Sequence, residues 1–369
     1  MMKDPNKLLS DQDIAIIRQQ SAKCEQQGGL SQEMLELIYQ NQWLQVMEPK
    51  SVNGLEWEFP QIVRLFESLS WADGNVGWCV NLGAGANMFS GYLEQGTAQQ
   101  IFNSEKICCA GSGAISGTAV QVKNGFLISG KWKYASGSAH ATHFTANCFL
   151  MDDQNKPILE QGKHIFKSFI FPREKVRVMD TWHVVGLKAT SSNDFEVEGL
   201  FVPEACSFSL LKPSEHAVGP LFKFPFDLLA VVNMAIVPIG ITLHFIDLFQ
   251  DLMAYKKPLH GVGYLKDNEQ LQLKFKKETE QFYQLRNELY QKIDQVWTYF
   301  MGNEIPDGKY IADLKVLARD AAFQSRILIM ELFPFCGMSI IYEDAAINKV
   351  WRDLSVAMQH YLLSPLNMG

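Results

Sequence analysis

Residues 120–128 read VQVKNGFLI, and this stretch decides the kind of fold that the sequence predicts. At its centre lies Asn124-Gly125, the dipeptide that most favours a two-residue turn between antiparallel strands. Val120 and Val122 enclose a polar residue before the turn, and an apolar run follows it. Further strand-like runs lie at residues 144–149, 166–171, 176–179 and 195–202. We therefore predict an antiparallel β-domain over residues 105–215.

Helical periodicity lies on both sides of this β-domain. Before it, Ser31 is placed to cap a helix, and Leu30 and Leu35 are spaced as a hydrophobic staple. After it, apolar residues recur every three or four positions along residues 282–296 and 311–321. We predict an α+β fold with an N-terminal helical domain over residues 1–104, the β-domain, and a C-terminal helical bundle over residues 216–369.

Composition and charge limit the classes of partner. A chain of 369 residues that is 47% hydrophobic can bury a large core. Its formal net charge of −7 argues against nucleic acid or an anionic membrane, since both attract basic surfaces. The most apolar stretch, residues 226–249, is interrupted by Asp, Asn, Pro and His. It therefore predicts a buried helix pair rather than a membrane span.

Cysteine and histidine spacing predicts neither a metal site nor a disulfide framework. The seven cysteines include no Cys-x-x-Cys pair, which argues for a reducing, cytoplasmic setting. His140 and His143 are three residues apart, with no acidic or cysteine partner at metal-ligand spacing.

The glycine-rich run at residues 111–117 does not have the strand, GxGxxG and helix order of a dinucleotide site. It also lacks the lysine of a phosphate loop. We interpret it as a loop whose glycines let another group approach the backbone closely. A Gly-x-Ser-x-Gly hydrolase elbow is absent as well, so a hydrolase has no support in the sequence.

Four segments of the chain resemble the acyl-CoA dehydrogenase superfamily. Within it they are most similar to the branch of two-component flavin-dependent monooxygenases, which includes the group D aromatic hydroxylases and a sulfur-heterocycle oxygenase. The segments are residues 64–78 (RLFESLSWADGNVGW), 132–141 (WKYASGSAHA), 180–194 (DTWHVVGLKATSSND) and 351–360 (WRDLSVAMQH).

This resemblance implies a C-terminal four-helix bundle, assembly as a homotetramer, and a flavin that lies against the β-domain. It also implies which residues contact the flavin: Gly111, Ser112, Tyr134, Ala135, Ser136, Thr190 and Ser192. Trp132 and Trp182 are expected to pack internally or to form the wall of the substrate pocket.

The carboxylate that an acyl-CoA dehydrogenase needs is not at either expected place. A thioester α-carbon is a weak acid, so its desaturation requires a positioned base. In the commonest family arrangement that base follows the Arg-Asp pair by eight residues, where this chain has Tyr361. Residues 226–240, the alternative place, contain only Asp227, near their start.

The monooxygenase branch needs different residues. There, reduced flavin from a separate reductase reacts with O2 to give a C4a-hydroperoxide, which must be protected from water. The resemblance implies that His360 acts as an acid, base or orienting group and that Ser136 contacts the flavin or the peroxide. Each residue also has a plainer interpretation, as a satisfied helix histidine and a turn serine. A shared pocket distinguishes the two interpretations.

The leading hypothesis is therefore a monooxygenase that uses reduced FMN or FAD and O2 on a small aromatic or heteroaromatic substrate. The first alternative is an FAD-dependent acyl-CoA dehydrogenase whose base has not been located. The second is a non-catalytic member of the same fold.

Overall fold

The computed structural model describes residues 4–152, 154–258 and 263–367. The start of the predicted N-terminal domain, residues 1–3, and the end of the predicted C-terminal bundle, residues 368–369, lie outside the described residues. The first part of the chain is helical, and Ser31 caps the second helix by accepting a hydrogen bond from the Met34 amide, as predicted. The helices are α1 Asp11–Gln27, α2 Gln32–Gln40, α3 Phe59–Ala72, α4 Gly74–Asn87 and α5 Gln95–Ile101.

A seven-stranded sheet follows, with the strand order β7-β8-β2-β1-β3-β6-β9. The predicted hairpin joins its first two strands, and Asn124 adopts the left-handed conformation that such a turn requires, with φ 65°. The strands are β1 Cys109–Val122, β2 Gly125–Ala135, β3 His143–Met151, β6 Phe166–Pro172, β7 Arg177–Met179, β8 Asn193–Pro203 and β9 Ser207–Phe208. A separate small hairpin contains β4 Leu159–Glu160 and β5 Lys163–His164.

The prediction of a purely antiparallel sheet is wrong for one pair of strands, because β1 and β3 run parallel. After β2 ends, residues 136–142 return the chain to the start of β1, where the Thr142 amide donates to the Cys108 carbonyl at 2.8 Å. The next strand therefore begins beside Cys109 and runs in the same direction. The connection brings Ser136 to the same end of the sheet as the first residues of β1.

Helices resume after the sheet. They are α6 Phe226–Tyr255, α7 Glu269–Met301, α8 Gly308–Leu332 and α9 Ala346–Ala357. The predicted helix pair at residues 226–249 is wrong, since α6 continues through Pro238 as one helix. Among the described residues α6 alone is long and apolar enough to cross a membrane, but 94% of its most apolar window is buried within the protein. It is the central core helix.

Buried apolar side chains form two clusters. The larger cluster joins helices from the first and last parts of the sequence. The smaller cluster consists mainly of side chains from the strands of the sheet. The structure is thus a mixture of helices and sheet, as predicted, and the domain boundaries after residues 104 and 215 stay predictions. Helix α4 contacts β1, and α6 and α9 pack against α4 and against each other.

A buried ionic network holds that junction together. Asp73 caps α4 by accepting from the Asn75 amide at 2.8 Å, and it also accepts from Lys349 Nζ of α9 at 2.8 Å. The same Nζ donates to Asp353 at 2.7 Å. Asp353 in turn accepts from the Leu187 amide at 2.6 Å. Burial alone would raise the pKa of Asp73, but Lys349 holds it well below its ordinary value.

We expect Asp353→Asn to destabilise the fold, because it removes one of the two carboxylates that balance the buried ammonium of Lys349. Breaking such a buried pair costs about 3 kcal/mol of the free energy of unfolding, which urea denaturation measures. Asp313→Asn, on the exposed face of α8, is the matched control and should change stability by less than about 0.5 kcal/mol. Equal stabilities of the two variants would contradict the assignment.

Candidate functional site

A cavity of about 260 Å³ lies where α4, α6, the first residues of β1 and the turn after α9 meet. One part of its wall is apolar and includes Leu82, Phe89, Phe226, Leu229 and Met234. The other part is polar and uncharged: Asn81, Ser112, Ser136, Thr145, Asn147, Ser168, Asn233 and His360. None of the described lining residues is Asp, Glu, Lys or Arg.

Helix α4 supplies a continuous face of this wall. Asn81, Leu82, Gly85 and Ala86 line the cavity and recur at the three- and four-residue spacing of one helix face, and Phe89 follows in the short turn after α4. A Cβ added to Gly85 would meet no atom within 4 Å, and the same holds for Gly113 on β1. The glycines thus leave room for a flat ring between α4 and the sheet. This space, edged by hydroxyl and amide groups, fits a flavin ring system.

Ser136 lies directly after β2, with a side chain that is buried and turned into the cavity. Its Oγ accepts from Trp78 Nε1 at 3.0 Å and lies 2.7 Å from Ser192 Oγ. Ser192 Oγ lies 2.7 Å from Thr190 Oγ1, which donates to the Leu187 carbonyl at 2.8 Å. These four side chains and the carbonyl form one continuous chain of hydrogen bonds.

The direction of this hydrogen-bond chain is fixed by its two ends. Thr190 uses its only hydroxyl proton on the Leu187 carbonyl, so it must accept from Ser192. Ser192 must then accept from Ser136, and Ser136 accepts from Trp78, whose indole can only donate. Ser136 therefore donates its hydroxyl proton to Ser192 and uses one lone pair to accept from Trp78. One lone pair remains, and it makes Ser136 an acceptor toward a ligand.

His360, which is far from Ser136 in the sequence, lines the same cavity. The prediction that it lies on the last helix is wrong: α9 ends at Ala357, and His360 caps the following short turn. Its Nδ1 accepts from the Leu362 amide at 3.4 Å, so the proton of the neutral ring lies on Nε2. Burial lowers the pKa of His360 to about 4. The imidazole is thus a neutral group that holds a proton at Nε2 at physiological pH.

Trp78 links the two predicted residues, and sequence reasoning assigned it no role. Its indole nitrogen donates to Ser136, while its ring lies edge-on to the His360 ring with the centroids 6.0 Å apart. The signal was available, since Trp78 closes the first of the four segments that carry the family resemblance, residues 64–78. Asn81 and Asn233 were also missed.

The other predicted site residues fall into three groups. Gly111 and Ser112 line the cavity with Ser136 and His360. Thr190 and Ser192 are buried and do not line the cavity, but hydrogen bonds link them to the Ser136 hydroxyl. Tyr134 is 65% exposed and Ala135 is buried, and neither lines this cavity.

The two predicted pocket tryptophans do not form the wall of this cavity. Trp132 is fully buried inside the sheet, where it stacks on Phe195 and donates to the Asn147 carbonyl at 3.1 Å. Trp182 donates to the Leu187 carbonyl at 2.9 Å. Of the two expected roles, packing is the one that the structure gives Trp132. Its large ring fills the space above Gly117 and Gly130, where a Cβ would collide with it.

The chain is similar to known monooxygenases along most of its length, although no protein-family model matches it. It is 26% identical over 337 residues to indole-3-acetate monooxygenase from Acinetobacter baumannii, which covers 91% of this chain and 85% of that protein. It is 23% identical to the flavin-dependent monooxygenase oxygenase subunit HsaA from Mycobacterium tuberculosis, over 95% of this chain and 89% of that protein. Several of its homologues are named as oxygenase subunits or components of flavin-dependent enzymes.

Solved structures show the same fold. The crystal structure of M. tuberculosis HsaA superposes with a TM-score of 0.84 over 97% of this chain and 93% of that chain, at 18% identity. XiaF from Streptomyces sp., solved in complex with FADH2 and glycerol, gives a TM-score of 0.78 over 96% and 90% of the two chains, at 20% identity. The predicted resemblance to the flavin-dependent monooxygenase branch is thereby confirmed.

The lowered pKa of His360 predicts a pH dependence of stability. The unfolded residue takes up a proton below about pH 6.5, but the folded residue does so only near pH 4. Its contribution to stability is therefore intact above pH 6.5 and is lost as the pH falls from 6.5 to 4, by at most about 3 kcal/mol. His360→Gln removes this loss, so the variant should lose less stability than the wild type over that interval.

Urea denaturation at pH 7, 5.5 and 4.5 measures the difference. Histidine NMR signals provide the second readout, and the His360 ring should stay neutral down to pH 5. Identical pH profiles of the wild type and His360→Gln would show that His360 titrates normally.

Proposed function

We propose that this chain is the oxygenase component of a two-component flavin-dependent monooxygenase. It would use reduced FMN or FAD from a separate reductase, together with O2, to oxygenate a small aromatic or heteroaromatic compound. When bound, reduced flavin supplies the two electrons that activate O2, so that one oxygen atom enters the substrate and the other leaves as water. The homology to flavin-dependent monooxygenases over most of the chain supports this function.

One observation in the site carries the proposal: the direction of the hydrogen-bond chain that ends at Ser136. Because its proton is committed to Ser192, Ser136 offers only a lone pair to a ligand. A reduced flavin has an N–H group at ring position N5, and an oxidised flavin has only a lone pair there. Set against N5, Ser136 would accept from the reduced ring, whereas its lone pair would oppose that of the oxidised ring.

His360 is suited to hold and orient a substrate by donating from Nε2. Burial keeps the ring neutral, and the Leu362 amide occupies Nδ1. The apolar side of the cavity, with Phe89, Phe226 and Leu229, excludes water from the reacting groups. Gly111, Ser112 and Ser136 form the side against which the flavin would lie.

The described lining residues offer no base for the acyl-CoA dehydrogenase alternative. No carboxylate is among the described lining residues, and Tyr361 occupies the wall where the commonest base is expected. Asp227, the other candidate, pairs with Lys315 instead. These placements favour oxygenation over desaturation.

We further propose an acyl-CoA dehydrogenase-like arrangement of three domains, a homotetrameric assembly and a cytoplasmic location. Large apolar side chains are exposed along α8 and the segment after it, which supports burial of this surface by other copies of the chain. They are Phe323, Met330, Phe335, Met338, Ile341 and Tyr342.

Light scattering of the purified protein tests the assembly. We expect four times the mass of one chain, and Met330→Glu with Met338→Glu should lower it, because charges on a buried apolar interface oppose association. A monomeric wild type would contradict the proposed tetramer.

Flavin titrations test the function directly. Under anaerobic conditions, reduced FMN or FAD should bind at least about tenfold more tightly than the oxidised form. Only the reduced ring has an N–H group that can donate to the free lone pair of Ser136. Thr190→Val should reduce that preference, since Ser192 then loses its acceptor and the hydroxyls of the chain can reverse.

Thr118→Val is the matched control, because Thr118 lies on β1 and contacts the Ser129 carbonyl rather than the hydroxyl chain. It should keep the wild-type preference. Equal affinity of the wild type for both redox states of the flavin would overturn the proposed role of Ser136. No binding of either state would overturn the function.

A further inference from the structure

Two asparagine side chains lie on the cavity wall without complete hydrogen bonding. Asn81 of α4 is 2% exposed and Asn233 of α6 is 4% exposed, so both residues are almost completely removed from the outer surface. Both line the cavity. A buried polar group that lacks a partner costs about 1–3 kcal/mol, so such groups in a cavity point to a ligand.

The orientation of the Asn81 amide is fixed. Its Nδ2 donates to the Asn233 backbone carbonyl at 2.7 Å, so the nitrogen and oxygen cannot be exchanged without placing two oxygens together. Its Oδ1 accepts no hydrogen bond from the described residues. Asn81 therefore presents a preset acceptor to the cavity, held in place by the backbone of α6.

Asn233 adds a second amide with an unpartnered atom beside Asn81. Its Oδ1 is buried and has no hydrogen-bond partner among the described residues. The backbone carbonyl of the same residue is the one that holds Asn81. The two amides thus form a small polar patch on the wall between α4 and α6.

The charge of the wall restricts the ligand further. The described lining residues include no lysine or arginine, and the one titratable imidazole among them, that of His360, is neutral. A carboxylate inside this cavity would lose its hydration without gaining a cation. Indole-3-acetate monooxygenase, one of the relatives, is named for a substrate that carries such a carboxylate.

We propose that the substrate is an uncharged aromatic or heteroaromatic compound whose ring N–H or O–H donates to the Asn81–Asn233 patch. Asn81 is then a specificity-determining residue that recognises a donor on the ring. The proposal rests on the proposed function for the reaction, but the preference among ligands is a property of the cavity alone.

Size-matched probes test the two parts separately. Indole and benzofuran differ by an N–H against an oxygen, and indole-3-acetamide and indole-3-acetate differ in charge. Equilibrium dialysis measures their binding to the full-length protein without flavin and again with reduced flavin under anaerobic conditions. We expect indole to bind about fivefold or more tighter than benzofuran, and the acetamide about tenfold or more tighter than the acetate.

Asn81→Leu should bring indole and benzofuran to within about twofold of each other, because the acceptor is gone, and should leave the discrimination against charge in place. Leu82→Met is the matched control on the same face of α4 and should shift both probes in parallel. If Asn81→Leu fails to fold, the comparisons on the wild type decide the proposal.

Benzofuran that binds wild-type protein as tightly as indole would overturn the donor requirement, and would indicate that water satisfies the two amides. If indole-3-acetate binds as tightly as indole-3-acetamide, the requirement for an uncharged ligand is overturned. If either of these two results is found while reduced flavin binds normally, the proposed monooxygenase function is not contradicted. The expected preferences without any flavin binding would support the recognition patch and refute the monooxygenase.

Discussion

The contact between Lys349 and the two aspartates Asp73 and Asp353 is the constraint on which the site depends. An ammonium buried in a core is tolerated only when carboxylates balance it, so the three side chains cannot move apart independently. Asp73 begins α4, the helix that holds Trp78 against Ser136 and presents Asn81 to the cavity. Asp353 holds the Leu187 amide from α9. One ionic contact therefore sets the relative positions of α4, α9 and the loop before β8.

Leu187 transmits this constraint to the candidate flavin site. Its amide is held by Asp353, and its carbonyl accepts from Thr190 Oγ1, the last group of the hydroxyl chain that starts at Ser136. The loop also packs closely on α9, because a Cβ on Gly186 would lie 2.1 Å from the Arg352 carbonyl oxygen. The arginine-aspartate pair is therefore a structural support for the hydroxyl chain and does not line the cavity.

The sequence predicted the parts of the fold that depend on local patterns. The Asn124-Gly125 hairpin, the Ser31 cap and the order of helices, strands and helices all follow from periodicity and turn chemistry. The parallel pairing of β1 with β3 did not, because it depends on where residues 136–142 carry the chain. The resemblance also led to Ser136 and His360, which the structure brings to one cavity. Trp132, fully buried in the sheet, shows that a motif residue can be a packing residue.

What no local pattern contains is the direction of a hydrogen bond. Ser136 looks like an ordinary turn serine in the sequence, and only the three-dimensional chain through Ser192 and Thr190 to a carbonyl makes it an acceptor. This arrangement strains the backbone. Leu187 and Ser191 have φ values of 50° and 45°, which residues other than glycine rarely adopt. Such strain persists only where the surroundings impose it, and here Asp353 and Asn75 hold the loop by accepting from the Leu187 amide and the Ala189 amide. The ionic network thus stabilises a strained loop, and the strained loop fixes the proton of Ser136.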